Sequence, residues 1–154
     1  MTRSTLMAVA GLGSALMLAA AFGFQHLGDL PPCKMCLWQR WPHGVAAGLG
    51  LLGVLLPFRL VALAGAGAAA ATAGIGGYHS GVEQGWWDGP ASCSGASVLD
   101  MDPKAALEAL LSAPVVRCDE ISWEFVGLSM PTWNMIISLG LMAIWLIAAM
   151  KRSA

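Results

Sequence analysis

Charge is scarce in this sequence. Only 11% of its 154 residues are Asp, Glu, Lys or Arg, against about 25% in an ordinary soluble domain. That deficit excludes a conventional water-soluble globule. No acidic residue precedes Asp29, none lies in the connection Pro57-Phe58-Arg59, and none follows Glu124. Nothing repeats, no stretch has the composition of a disordered tail, and no βαβ pattern is present to build a thioredoxin-like domain. One integral domain over 1–154 is expected, with no nucleic-acid partner.

What the chain has in quantity is apolar sequence, 57% of it. Four runs approach or reach the ~20 residues of a membrane span: Ser4–Gln25, Leu37–Leu56, Leu60–Gly77 and Pro131–Met150. The second is interrupted early by Arg40, Pro42 and His43, which places its first turns in the interface. The second and third are joined only by Pro57-Phe58-Arg59 and are therefore antiparallel neighbours. The first run follows Arg3 and contains Ala19-Ala20-Ala21, features of a cleaved signal. Signal cores span ~7–15 residues, so the longer run here is read as a retained span. The expected fold is an all-α membrane protein, a four-helix transmembrane bundle with two outer loops.

Orientation follows from the basic residues. Arg3, Arg59, Lys151 and Arg152 lie at the termini and the short connection, whereas all nine acids fall in the other two loops. Those loops also hold Lys34, Arg40, Lys104 and Arg117, so the bare count of bases ties. Bases beside a short connection, with an even number of spans, place both termini in the cytoplasm. Six of the seven tryptophans (Trp38, Trp41, Trp86, Trp87, Trp123 and Trp133) lie near the opposite interface, as an aromatic belt does. In a bacterium that side is the periplasm, where disulfides persist.

Small residues mark expected helix contacts: the GxxxG of Gly44 and Gly48, and a ridge of Gly65, Ala69 and Ala73. In the long outer loop, Asp102-Pro103 reads as an N-cap with proline at the first helical position. A short amphipathic helix over Lys104–Ser112 should follow, carrying Leu107, Leu110 and Leu111 on one face and ending at Pro114. Such a helix suits a membrane surface. Gly127-Leu128-Ser129-Met130-Pro131 reads as the return to the membrane.

All four cysteines lie outside the apolar runs: Cys33 and Cys36 in a CxxC, and Cys93 and Cys118 in the long loop. A CxxC dithiol cycles between thiol and disulfide, and a second pair gives it something to exchange with. Four thiolates would also suit zinc, but structural zinc uses two closely spaced pairs, and Cys93 stands 25 positions from Cys118. A purely structural crosslink gains little from a CxxC, whose loop is very short. The residues therefore point to thiol redox chemistry at a membrane surface. Cys36 is expected to be the special thiol, placed just before the second span, where the helix dipole favours an anion, with Arg40 one turn on as a neighbouring cation. His26, His43 and His79 sit near outer ends of spans, where a polar tip at the interface is the default. His79, beside Tyr78, is the exception, able to donate a hydrogen bond to a bound carbonyl.

The segment Pro32-Cys33-Lys34-Met35-Cys36-Leu37-Trp38-Gln39-Arg40 resembles the CxxC-xxxR signature of the bacterial disulfide bond formation protein B (DsbB) family. The resemblance continues through the loop pair and through Trp123-Glu124-Phe125-Val126-Gly127-Leu128-Ser129-Met130-Pro131-Thr132-Trp133, and covers essentially the whole chain. It implies that Cys93, paired with Cys118, exchanges with a periplasmic thioredoxin-like DsbA. Cys33 and Cys36 would then receive the electrons, and Cys36 would pass them to a membrane quinone, ubiquinone or menaquinone, beside Arg40, with His79 near it. The implied location is the bacterial inner membrane, with lipid and quinone as further partners. Gln39 departs from members that carry an acid before the arginine, and the Gly- and Ser-rich stretch around Cys93 is a second departure. Two other readings are a vitamin K epoxide reductase-like enzyme, in which the loop pair precedes the CxxC, and a metal-binding membrane protein. The order here, CxxC first, argues against the former.

Overall fold

The computed structural model describes residues 1–90, 93, 102–112 and 116–151. Helix α1 runs Arg3–His26, opened by Thr2, whose side chain accepts from the Thr5 amide at 3.2 Å. It is followed by α2 (Lys34–Leu55), α3 (Arg59–Glu83), the short α4 (Pro103–Ser112), the strands β1 (Glu124–Phe125) and β2 (Leu128–Ser129), and α5 (Met130–Met150). α1, α3 and α5 are long and apolar enough to cross a membrane. α2 has 22 residues, about 33 Å at 1.5 Å per residue, and its opening turns hold Lys34, Gln39, Arg40 and His43. Leu12, Leu16, Leu51, Leu55 and Leu60 are all more than half exposed. A surface so apolar requires lipid rather than water around it.

The four long helices pack in the cyclic order α1-α2-α3-α5, with sequence neighbours antiparallel. Gly11 and Gly50 meet so closely that a Cβ on either would lie 2.5 Å from the other's Cα. On the other side of the bundle Gly65 receives the Trp145 ring, and a Cβ there would also stand 2.5 Å from it. Ala69 and Ala73 continue this buried ridge. The expected GxxxG contact does not form: Gly44 and Gly48 are exposed and face open space. The α2 contact face carries Ala46, Gly50 and Gly53 instead, because helical phase rather than the motif decides which residues point inward.

One end of the bundle is tied by Arg3, whose Nη1 donates to Pro57 O at 3.0 Å and whose Nε donates to Ala148 O at 3.2 Å, with a further bond to Lys151 O. The termini of α1 and α5 and the α2–α3 connection thus share an end, and the cysteines occupy the other. There α3 extends past the expected Gly77 to Glu83. No residue breaks the helix, Ser80 Oγ donates back to Gly76 O at 3.0 Å, and the chain turns only at Gly85 with φ +69°. The extension puts His79 and Glu83 one turn apart on the same face.

α4 begins as the Asp-Pro pair dictates, with Asp102 Oδ1 accepting from the Lys104 and Ala105 amides at 3.0 and 3.3 Å. Leu107 and Leu111 are exposed, whereas Pro114, Arg152 and the Leu110 side chain lie outside the described residues. β1 and β2 form a hairpin in register Glu124↔Ser129, turned by Val126 and Gly127 at φ 54° and 72°. Both positive values suit the two-residue turn of a twisted hairpin. The hairpin delivers the chain into α5, with Pro131 in its first turn.

Gly50→Leu should lower stability by about 1–3 kcal/mol through overpacking, read as a fall in the thermal midpoint in detergent. Gly44→Leu, on the open face, should leave the midpoint unchanged.

Candidate functional site

Cys33 is the N-cap of α2. The preceding Pro31 and Pro32 hold the chain extended, and Cys33 itself is extended, with ψ 170°. Its Sγ accepts from the Cys36 amide at 3.2 Å and lies 2.9 Å from Cys36 Sγ. Both are free thiols; Cys33 is buried and Cys36 half-buried. This reverses the expectation for the thiolate. Cys36 already lies inside the first helical turn, so the free amide and the dipole serve Cys33. Hydrogen bonding from the Cys36 thiol is the main cause that brings the Cys33 pKa down from 9.0 to about 5. His79 and the Cys36 amide assist, and burial opposes them.

Arg40 also departs from expectation. Its Nη1 donates to Gln25 Oε1 at 2.6 Å, its Nη2 to Ala21 O at 3.3 Å, and the guanidinium lies 4.8 Å from the Phe22 ring centroid. Its hydrogen bonds therefore run to α1 and not to Cys36. The Nε is buried without a partner.

Cys93 and Cys118 are joined in a disulfide with Cα atoms 5.1 Å apart, and both are fully buried. The Cys118 amide donates to Cys93 O at 3.2 Å. The disulfide packs with Cys33, Met35 and Val82, so the two cysteine pairs share one apolar cluster. Cys33 Sγ, a His79 ring nitrogen and Cys118 Sγ all lie within 4.8 Å of one another, with 3.6 Å between Cys33 Sγ and His79 Nε2. These three are the one group with metal-ligand geometry among the described residues. Cys118 has its sulfur committed to Cys93, which leaves two donors, short of the three protein ligands of a catalytic zinc site.

A cavity of about 120 Å³ opens beside the thiols. Its wall is mostly apolar, with Met17, Leu18, Phe24 and Leu30 among its residues; Cys33, Cys36, Arg40, His79 and Glu83 are among the polar ones, with Arg117 and Glu120. Glu83 stands in the same wall with its Oε2 buried and without a partner. The sequence reading missed Glu83, although an acid four residues after His79 was a visible signal. It also missed Asn134 and Thr72, which look like ordinary polar residues in apolar helices until packing brings them beneath the thiols. His43, read as an interface tip, is 3% exposed and joins them.

A free dithiol in contact with a disulfide, at the end of an apolar helix bundle, defines a membrane protein built for thiol–disulfide exchange. The chain belongs to the DsbB family: the family model for disulfide bond formation protein DsbB matches residues 3–148. Disulfide bond formation protein B of Hahella chejuensis is 29% identical over 161 residues, covering 99% of this chain and 96% of that protein. The protein of the same name from Stutzerimonas stutzeri is 29% identical over 153 residues, covering 92% of each. That of Xanthomonas oryzae pv. oryzae is 36% identical over 151 residues, 90% of this chain and 84% of the relative. The protein is a disulfide-forming membrane protein with a disulfide oxidoreductase role.

A thiol whose pKa is lowered reacts as thiolate above that value and loses reactivity below it. Cys33 should therefore be the thiol alkylated by iodoacetamide at pH 6, with its rate falling through a midpoint near 5. Cys36→Ala should move that midpoint up, since the Cys36 thiol is the main cause of the shift. Mass spectrometry of the labelled peptide identifies the site.

Proposed function

We propose that the protein is a quinone-dependent thiol oxidase that reoxidises a periplasmic DsbA-type dithiol oxidase. The observation that carries this reading is the convergence of Cys33 Sγ and Cys118 Sγ, with a ring nitrogen of His79, within 4.8 Å. Exchange requires a thiolate with access to a disulfide sulfur, and this packing lets each pair attack the other. The catalytic residues are then Cys33, Cys36, Cys93 and Cys118, with Arg40 at the quinone and His79 in the wall of its cavity.

The reduced partner attacks the Cys93–Cys118 disulfide through a mixed disulfide; the partner leaves oxidised, and Cys93 and Cys118 keep its two electrons as thiols. The Cys118 thiolate attacks Cys33 of the Cys33–Cys36 disulfide, forming Cys33–Cys118 and releasing Cys36. Cys93 then attacks Cys118, which restores Cys93–Cys118 and expels Cys33 as a thiolate. A low pKa makes Cys33 a fast leaving group. The product has free Cys33 and Cys36 beside a bonded Cys93–Cys118, the arrangement described above.

A quinone, ubiquinone or menaquinone, supplies the acceptor that takes the two electrons and two protons of the dithiol and restores Cys33–Cys36. The cavity suits it: an apolar wall for the ring, and Arg40 in that wall as a cation for a carbonyl. The redox balance requires such an acceptor. A DsbA couple stands near −120 mV, and every ~30 mV is worth ~1.4 kcal/mol in a two-electron transfer.

The same reading makes 1–154 one integral domain in the bacterial inner membrane. α2 is its fourth span, held between α1 and α3. The Arg3 end faces the cytoplasm and the cysteine end the periplasm, with α4 resting on the outer surface of the membrane through Leu107 and Leu111.

Purified protein given reduced DsbA and ubiquinone should reduce the quinone, and Cys36→Ser should abolish the reaction. Undiminished turnover by Cys36→Ser would sink the proposal. Arg40→Gln should raise the quinone KM by about tenfold, the loss of one charge-assisted hydrogen bond, while DsbA oxidation in a single turnover stays intact.

A further inference from the structure

Beneath the thiols a buried layer of polar side chains crosses three helices. Gln39 and His43 come from α2, Thr72 from α3 and Asn134 from α5, each at most 7% exposed. Buried polar groups between membrane helices are costly unless satisfied, and their hydrogen bonds are often explained as glue between helices. Here their direction can be worked out.

Two backbone carbonyls fix it, because a carbonyl only accepts. Asn134 faces Thr72 O at 3.3 Å and Thr72 Oγ1 at 3.1 Å, and the Thr72 hydroxyl hydrogen is spent on Gln39 O at 3.2 Å. The Asn134 atom on that side must be the amide nitrogen. Its Oδ1 therefore faces His43 Nε2 at 2.8 Å, and that ring nitrogen carries the hydrogen. Independently, Gln39 faces Met35 O at 3.2 Å, so its nitrogen lies there and its Oε1 accepts from Asn134 Nδ2 at 2.7 Å. The second Gln39 hydrogen points at His79 Nδ1, 3.1 Å away. That nitrogen must accept, so the single hydrogen of the neutral His79 ring sits on Nε2, 3.6 Å from Cys33 Sγ.

We propose that His43, Asn134 and Gln39 form a one-way hydrogen-bond chain that locks His79 as an Nε2–H donor to Cys33, with Gln39 and Asn134 as its positioning residues. The proposal rests on Cys33 being the exchanging thiol. Every donor in the chain points toward that sulfur: His43 to Asn134, Asn134 to Gln39, Gln39 to His79, and His79 to Cys33. Aligned bonds polarise one another in a low-dielectric interior, and a hydrogen bond to the charged form favours the thiolate. At the far end His43 Nδ1 is a buried lone pair without a partner, as expected of a chain whose hydrogens all point the other way. Glue between helices would need the contacts but not their common direction.

The groups facing Cys33 are Cys36 on its own helix, His79 and Glu83 on α3, and Arg117 and Glu120 in the cavity wall. The test therefore compares variants in a Cys36→Ala background, where Cys33 is the one free thiol and the charged groups are unchanged. Gln39→Met removes the donor to His79 at nearly constant shape and should slow Cys33 alkylation at pH 6 about tenfold, the effect of one pKa unit. Asn134→Leu, which touches neither His79 nor Cys33, should slow it about threefold through Gln39. Unchanged rates in both variants, with native circular dichroism, would overturn the proposal.

A second measurement needs no variant. Nitrogen-15 spectra of histidine-labelled wild type in micelles should show His79 and His43 both protonated at Nε2 and bare at Nδ1. Finding His79 protonated at Nδ1 alone overturns the chain. Neither readout involves quinone turnover, so failure of the oxidase assay and failure of this proposal are separate results.

Discussion

A thiolate held away from water needs something positive to face, and the position of Cys33 at the amino end of α2 meets that need. The free Cys36 amide points at its sulfur, and the dipole of a 22-residue helix stands behind it. Much of the surrounding structure follows from this placement. Pro31 and Pro32 bring the chain in extended, so that Cys33 caps the helix rather than joining it. α3 continues for a turn and a half beyond its apolar run, so that His79 and Glu83 reach the same level. The loop disulfide packs against Cys33 in one apolar cluster.

Keeping such a site in one geometry falls to a bundle that has little beyond shape to work with. Lipid is as apolar as the helix faces, so burial does little to drive helix association inside a membrane, and close packing takes over. The pairs Gly11–Gly50 and Gly65–Trp145 bring backbone against backbone and ring against backbone. Near the opposite end from the cysteines the core becomes alanine, leucine and methionine around Trp145, locked by Arg3 across three chain segments. Rigidity below is what allows the polar layer above to keep hydrogen bonds between 2.7 and 3.3 Å across α2, α3 and α5.

The cysteines, the apolar runs and the Asp-Pro start of α4 were legible in the sequence because each is a local signal. The CxxC declares its chemistry through spacing alone, and a run of apolar residues declares a helix. Three features were not legible, for one common reason: each depends on phase or on partners distant in the chain. Gly44 and Gly48 have the right spacing but sit on the wrong face. Cys36 looked like the thiol at the helix start because the helix was expected to begin at Leu37, and a three-residue shift handed the cap to Cys33. Asn134 and Thr72 gave no signal at all, since their meaning arises only where three helices meet.

Arg40 illustrates how the site divides its labour. Had the guanidinium served Cys36, as one turn of helical spacing suggested, it would have been neutralised by the thiolate and closed to anything entering the cavity. Its Nη atoms are instead satisfied by Gln25 and Ala21 of α1, which fixes the plane of the group, and Nε is buried without a partner in a side chain that lines the cavity. Cys33 meanwhile draws first on the Cys36 thiol, then on the His79 imidazole and the Cys36 amide. Cation and thiolate can then act on different partners. In the proposed oxidase that separation lets the sulfur exchange with Cys118 while the arginine holds a carbonyl. A neutral Gln39 between them fits this arrangement, because a carboxylate there would be an acceptor at His79 Nδ1, would draw the ring's hydrogen to itself, and would pull charge away from the sulfur that needs it.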